Sequence, residues 1–83
     1  MSVPVRTLFF ATYRELLGRS ELEVELPDGA TVADLVERLR ARGSPFDGLP
    51  ARPTVAVNRA YASLSSSLGP GDEVAFIPPV AGG

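Results

Sequence analysis

The residues with the clearest chemistry are the last two, Gly82 and Gly83. A free α-carboxyl at Gly83 has a pKa of about 3.5, so it is ionised at neutral pH. A carboxylate is a poor electrophile. To lose an oxygen or be transferred, it must first become a mixed anhydride, most simply with ATP. Gly83 suits that step because its α-carbon offers no steric shield. The residues before it taper in size: Val80, Ala81, Gly82, Gly83. Such a taper fits a narrow channel, where a Cβ near the tip would clash. Pro78 and Pro79 bias the approach to polyproline geometry and hold Ile77 extended. At ~3.3 Å per residue, residues 78–83 reach roughly 20 Å as an extended tail leaving a domain of residues 1–77.

The other side chains offer little chemistry of their own. The 83 residues include no Cys and no His, and all eight basic residues are Arg. Disulfides, thiol nucleophiles, zinc ribbons, imidazole bases and Schiff-base lysines are therefore excluded. Gly69-Pro70-Gly71 lacks the spacing of either phosphate-cradling motif, so the chain has no nucleotide site of its own. A net charge of -2 makes it a poor nucleic-acid ligand. The longest apolar runs fall far short of the ~20 residues that span a bilayer. With no basic-then-apolar leader, a cytoplasmic protein is expected. No bound cofactor or metal is expected. The glutamates 21, 23 and 25 alternate on a strand and diverge from any single ion. Another protein would do the catalysis, with this one as its co-substrate.

The elements that must present the tail follow from hydrophobic periodicity. At this length the chain is one domain. Val5 to Ala11 is rich in β-formers and predicts a strand. Thr12-Tyr13-Arg14-Glu15 matches a capping box, followed by about one turn of helix that Gly18 stops. Glu21 to Leu26 alternates strictly between acidic and apolar, a strand with one wet face. Thr31-Val32-Ala33-Asp34 is a second capping box. Behind it Val32, Leu35, Val36 and Leu39 form one face of a helix, ended by Gly43 and Pro45. Residues 43–53 predict a loop and Thr54 to Val57 a short strand. Asn58-Arg59 predicts a tight turn into a return strand at Tyr61 and Ala62. Leu64 to Leu68 reads as an irregular crossing. Gly69 to Asp72 is a turn, and Glu73 to Ile77 a last strand that Pro78-Pro79 ends. The order implies an α+β fold: a mixed sheet of four to five strands with one main helix on one face, a β-grasp arrangement.

Three stretches carry a family resemblance: Leu8-Phe9-Phe10-Ala11, Val57-Asn58, and above all Gly71-Asp72-Glu73-Val74-Ala75-Phe76-Ile77-Pro78-Pro79-Val80-Ala81-Gly82-Gly83. Together they resemble the small subunits of molybdopterin synthase, a family of ubiquitin-like sulfur carriers with a β-grasp fold. The resemblance covers essentially the whole chain, and its specific part is Gly71 to Gly83. It implies that an ATP-dependent adenylyltransferase, consuming MgATP, activates the carboxyl of Gly83. A sulfur-donor protein then converts it to a thiocarboxylate. The tail next enters the large synthase subunit, where the sulfur passes to a cyclic pyranopterin monophosphate. It also implies a two-plus-two assembly with that subunit. A carrier for thiamine or another sulfur pathway, a ubiquitin-like modifier, and a plain interaction module with an inert tail remain alternatives.

Strand alternation also predicts a docking patch. If Val5, Thr7 and Phe9 face the helix, Leu8 and Phe10 face away. On the last strand Val74 and Phe76 share one face, with Ala75 and Ile77 on the other. An exposed group of Phe10, Tyr61 and Ile77 would mark a partner interface. Arg6, Arg14 and Arg59 are candidates to pair with carboxylates on its rim.

Overall fold

The computed structural model describes residues 2–79. Eight elements follow one another. They are β1 (Ser2–Phe9), α1 (Ala11–Leu17), β2 (Glu21–Pro27), α2 (Val32–Arg40), a single 3-10 turn (Phe46–Gly48), β3 (Thr54–Val57), β4 (Ala60–Ala62) and β5 (Glu73–Ile77). The strands make one mixed sheet in the order β2-β1-β5-β3-β4. β1 and β5 run parallel at its centre, and every other pairing is antiparallel. This is the β-grasp arrangement that the element order predicts.

The sheet has one dry face. Val3, Val5, Thr7 and Phe9 of β1 are buried, as are Val24, Leu26, Val55, Val74 and Phe76. Against them pack Val32, Leu35, Val36 and Leu39, all from one side of α2. The Phe9 and Phe76 rings lie 5.6 Å apart and tilted by 51°, locking the two central strands at their downstream ends. Thr7, the one polar residue buried there, donates from its hydroxyl to the Leu22 carbonyl.

α2 starts as its sequence predicts. The Thr31 hydroxyl accepts from the Asp34 amide, and the Asp34 carboxylate accepts from the Thr31 amide at 2.8 Å. Two first-turn amides, those of Val32 and Ala33, donate to the Ser66 and Leu64 carbonyls. The irregular crossing thus satisfies helix-end donors that would otherwise lack partners.

α1 departs from expectation. Thr12 does not cap it. The N-cap is Phe10, with extended backbone and no side-chain cap bond. The reversal happens at Ala11, which takes φ 48°, so Thr12 already lies inside the helix when its oxygen would be needed. The helix is also longer than one turn, with seven residues, and Gly18 ends it at φ 72° as foreseen. β1 begins and ends earlier than Val5 to Ala11. It starts at Ser2 because β2 pairs along its whole length, from Ser2↔Pro27 to Leu8↔Glu21. Pro4 is tolerated because β5 pairs only with Arg6 to Phe9, so no strand requires its missing amide there.

Candidate functional site

Of the expected tail, Pro78 and Pro79 follow β5 outside regular structure, and Pro79 is exposed. Val80, Ala81, Gly82 and Gly83 lie outside the described residues. What the fold does show is the strand that carries Pro78 and Pro79. β5 is a central strand, held by β1 on one side and β3 on the other. Val74 and Phe76 are completely buried, while Ala75 and Ile77 face the other way. The last ladder pair of β5 is Thr54↔Ile77. The point of departure is therefore fixed by two ladders and a buried aromatic pair.

The upstream end of β5 is anchored by a hydrogen-bond network. The Asp72 carboxylate accepts from the Gly69 amide at 2.7 Å and from Asn58 Nδ2 at 3.0 Å. These bonds, the Gly69 amide first, hold the Asp72 carboxyl below the usual carboxylate range. The Asn58 side-chain oxygen accepts from the Glu73 amide, and the Asn58 amide donates to the Glu73 carbonyl. Asn58 and Arg59 take φ 50° and 73°, the left-handed pair of a two-residue hairpin turn. Sequence reading identifies the turn but not the network.

The three residues expected to mark a partner interface, Phe10, Tyr61 and Ile77, fall on the open face of the sheet. The register sets Glu21, Leu8, Ala75, Ala56 and Tyr61 in one row across all five strands. Tyr61 is 78% exposed and Phe10 is 48% exposed. Phe10 follows the last β1–β5 pair, Phe9↔Phe76, with its backbone still extended. Continuing the register places it beside Ile77, which is half-buried. Phe10, Ile77 and Tyr61 thus share a face, but they do not form one compact cluster. Tyr61 stands on the edge strand β4, with Ala56 and Ala75 as a flat floor between it and Leu8. That floor was not foreseen, because only the register reveals it.

The next row of that face is charged. Arg6 lies between Glu23 and Glu73, and its Nη2 reaches Glu21 Oε2 at 2.7 Å. Its Nη1 is 4.0 Å from Glu73. The hydrogen bond and charge of Glu21 push the Arg6 guanidinium further toward its charged form. Arg6 is thus engaged within its own chain. Among the described residues no group of acidic side chains could hold a metal ion. An open groove of about 580 Å³ lies where β2 turns into α2, lined by Leu26, Asp28, Asp34 and Arg38. It sits at the end of the sheet opposite Ile77.

A family model described as "ThiS family" matches residues 7–83. The chain belongs to the ThiS family. Relatives match it over nearly all of its length. The molybdopterin synthase sulfur carrier subunit of Mycobacterium tuberculosis is 42% identical over 98% of this chain and 99% of its own. Small archaeal modifier protein 3 of Haloferax volcanii is 35% identical over 90% of this chain and 94% of its own. Among solved structures, a putative molybdopterin converting factor subunit 1 from Pyrococcus furiosus superposes with a TM-score of 0.83. It is 39% identical and covers 95% of this chain and all of its own. The ThiS match runs through Gly83 and so includes both terminal glycines.

Proposed function

We propose that this chain is the sulfur-carrier subunit of a molybdopterin synthase and acts in the cytoplasm. One observation carries the reading: end-to-end similarity to a molybdopterin synthase sulfur carrier subunit, within a family match that extends to the terminal glycine. The Gly83 carboxylate attacks the α-phosphorus of ATP on an activating enzyme, and pyrophosphate leaves. A persulfide on a donor protein attacks the carbonyl and AMP leaves. A thiol then cleaves the acyl disulfide to give the thiocarboxylate. This anion is a soft nucleophile at neutral pH, and the tail delivers it at high local concentration to the large subunit. There its sulfur bonds to a carbon of the cyclic pyranopterin phosphate as an oxygen leaving group departs, and water cleaves the resulting thioester, leaving the sulfur on the pterin and returning the Gly83 carboxylate. The open face around Phe10, Ile77 and Tyr61 is the proposed docking surface. It adjoins the strand end from which the tail departs, so docking and insertion act together.

The test is intact-mass analysis after incubation with the activating enzyme, MgATP and a sulfur donor. The expected result is the mass gain of one oxygen replaced by sulfur, at the C-terminal peptide. No gain with an enzyme proven active would overturn the mechanism. A chain extended by one residue beyond Gly83 is expected to fold normally and to accept no sulfur. Gly82→Trp is expected to leave melting unchanged and to block turnover.

The similarity to a small archaeal modifier protein supports a second reading, attachment of Gly83 to amines of other proteins. Isopeptide-linked targets carrying Gly83 in a tagged strain would establish it; sulfur transfer without such adducts would remove it.

A further inference from the structure

We propose that this chain is an acyl donor whose side chains cannot serve as acyl acceptors: once Gly83 is activated, no side chain on another copy can capture it. The proposal rests on the activation of Gly83 argued above. Capture is a defined reaction. A nucleophile attacks the Gly83 carbonyl, a new bond to carbon forms, the C–O bond to the phosphate breaks, AMP leaves, and the nucleophile's proton passes to solvent. Near neutral pH the side chains that do this readily are the lysine amine, the cysteine thiolate and the histidine imidazole. All three are missing from the 83 residues.

The basic positions show how far the substitution goes. Arg6, Arg14, Arg19, Arg38, Arg40, Arg42, Arg52 and Arg59 are all exposed. A lysine at any of them would present an amine to passing carriers. A guanidinium stays protonated and has no lone pair to offer. At two positions the geometry itself asks for arginine. Arg6 directs its Nε and Nη2 at Glu21, and Arg42 lies 4.9 Å from the centre of the Phe46 ring. Arg38 and Arg40 are different. They occupy the last turn of α2, where lysine has a similar helix propensity and complements the helix dipole equally well. There the difference that bears on acyl capture is the nucleophile. Hydroxyls do not fill the gap. Serine and threonine need a neighbouring base to attack an acyl group, and no imidazole or amine side chain is present. The Ser2 and Thr31 hydroxyls donate to carboxylates, Glu25 at 2.7 Å and Asp34 at 3.2 Å, and a carboxylate is a far weaker base than either. Tyr13 is buried, and burial pushes its phenol away from the reactive phenolate. Tyr61 is exposed, and its phenol, like the other hydroxyls, needs a base to attack an acyl group. An activated carrier can therefore meet its own kind without forming side-chain-linked chains.

The experiment uses the full chain with its activating enzyme and MgATP, with and without hydroxylamine, beside the variant R19K/R38K/R40K. Trapped hydroxamate at Gly83 shows that activation occurred. Under those conditions the natural chain is expected to give no dimers joined through a side chain. The variant is expected to gain dimers with Gly83 on an introduced lysine, located by peptide fragmentation. Side-chain-linked dimers of the natural chain would overturn the proposal. So would a variant that forms none while hydroxamate accumulates. Absence of hydroxamate in both proteins would instead refute the activation reading. Inertness is then read from a full-chain Gly83 thioester, made by thiol cleavage of a fusion, with the same two outcomes deciding.

Discussion

Asn58 and Asp72 stand 14 positions apart in the chain, and their side chains meet at 3.0 Å. Through that contact the β3–β4 turn is tied to the loop that launches β5. Asn58 uses both ends of its amide: the nitrogen donates to Asp72, and the oxygen accepts from the Glu73 amide. The Arg6 amide donates to the Asp72 carbonyl and the Gly71 amide to the Pro4 carbonyl, so β1 joins the same junction. The strand that ends in the tail is thereby fixed at its start.

Asn58→Ala is expected to destabilise the fold by about 2 kcal/mol. Two side-chain hydrogen bonds contribute ~1 kcal/mol each, and alanine tolerates a left-handed backbone less well than asparagine. Asn58→Gly separates the terms, because glycine accepts φ 50° freely and still loses the amide. Urea unfolding should rank the natural chain above Asn58→Gly and Asn58→Ala below both. Equal stability of all three would show that the network adds nothing.

Acid unfolding should have a component from Asp72. Its folded pKa lies below the unfolded value, because the Gly69 amide and Asn58 stabilise the carboxylate. The sign follows. Its contribution is complete above the unfolded pKa of about 3.9 and is lost as pH falls through the lower folded value. Asp72→Asn keeps the side-chain shape and removes that titration. The stability difference between the natural chain and this variant should therefore narrow below about pH 4. A constant difference from pH 7 to pH 2 would refute the assignment.

The two capping boxes should respond differently. Thr31→Ala removes a formed cap and is expected to cost about 1 kcal/mol. Thr12→Ala is expected to change stability by less than about 0.5 kcal/mol, since Thr12 is exposed inside α1 and caps nothing. Thermal melts of both variants check this, and similar losses would contradict the observed helix start.

The contrast between Thr31 and Thr12 shows what the sequence could reveal. Both fit the same local motif. Thr31 follows a turn and opens an apolar stripe, so the chain's local preferences agree. Thr12 follows a strand whose end is set by pairing to β2 and β5, and that pairing places the reversal at Ala11. The alternation of Glu21 to Leu26 and the stripe of α2 were legible because their periods are local. The Asn58–Asp72 link, the start of β1 at Ser2 and the Ala56–Ala75 floor depend on register between distant segments. For the site, the sides of Leu8, Phe10, Ala75 and Ile77 could be read from alternation. The isolation of Tyr61 at the sheet edge could not.

That separation makes the docking face testable in parts. Phe10 and Tyr61 are large and exposed, so truncating either removes little from the core. Phe10→Ala and Tyr61→Ala are each expected to change stability by less than about 0.5 kcal/mol. If the open face seats the partner, a buried aromatic anchor contributes about 2 kcal/mol or more, a roughly 30-fold loss of affinity on truncation. Phe10 continues the β1–β5 register toward Ile77, at the end where the tail departs, whereas Tyr61 lies across β3 from β5. Phe10→Ala should therefore impair both binding and sulfur delivery, because it loosens contact next to the inserted tail. Tyr61→Ala should weaken binding and leave delivery from the saturated complex nearly unchanged. Calorimetric affinities and single-turnover transfer rates with the large subunit measure the two effects separately. Full affinity in both variants would place the partner on another surface.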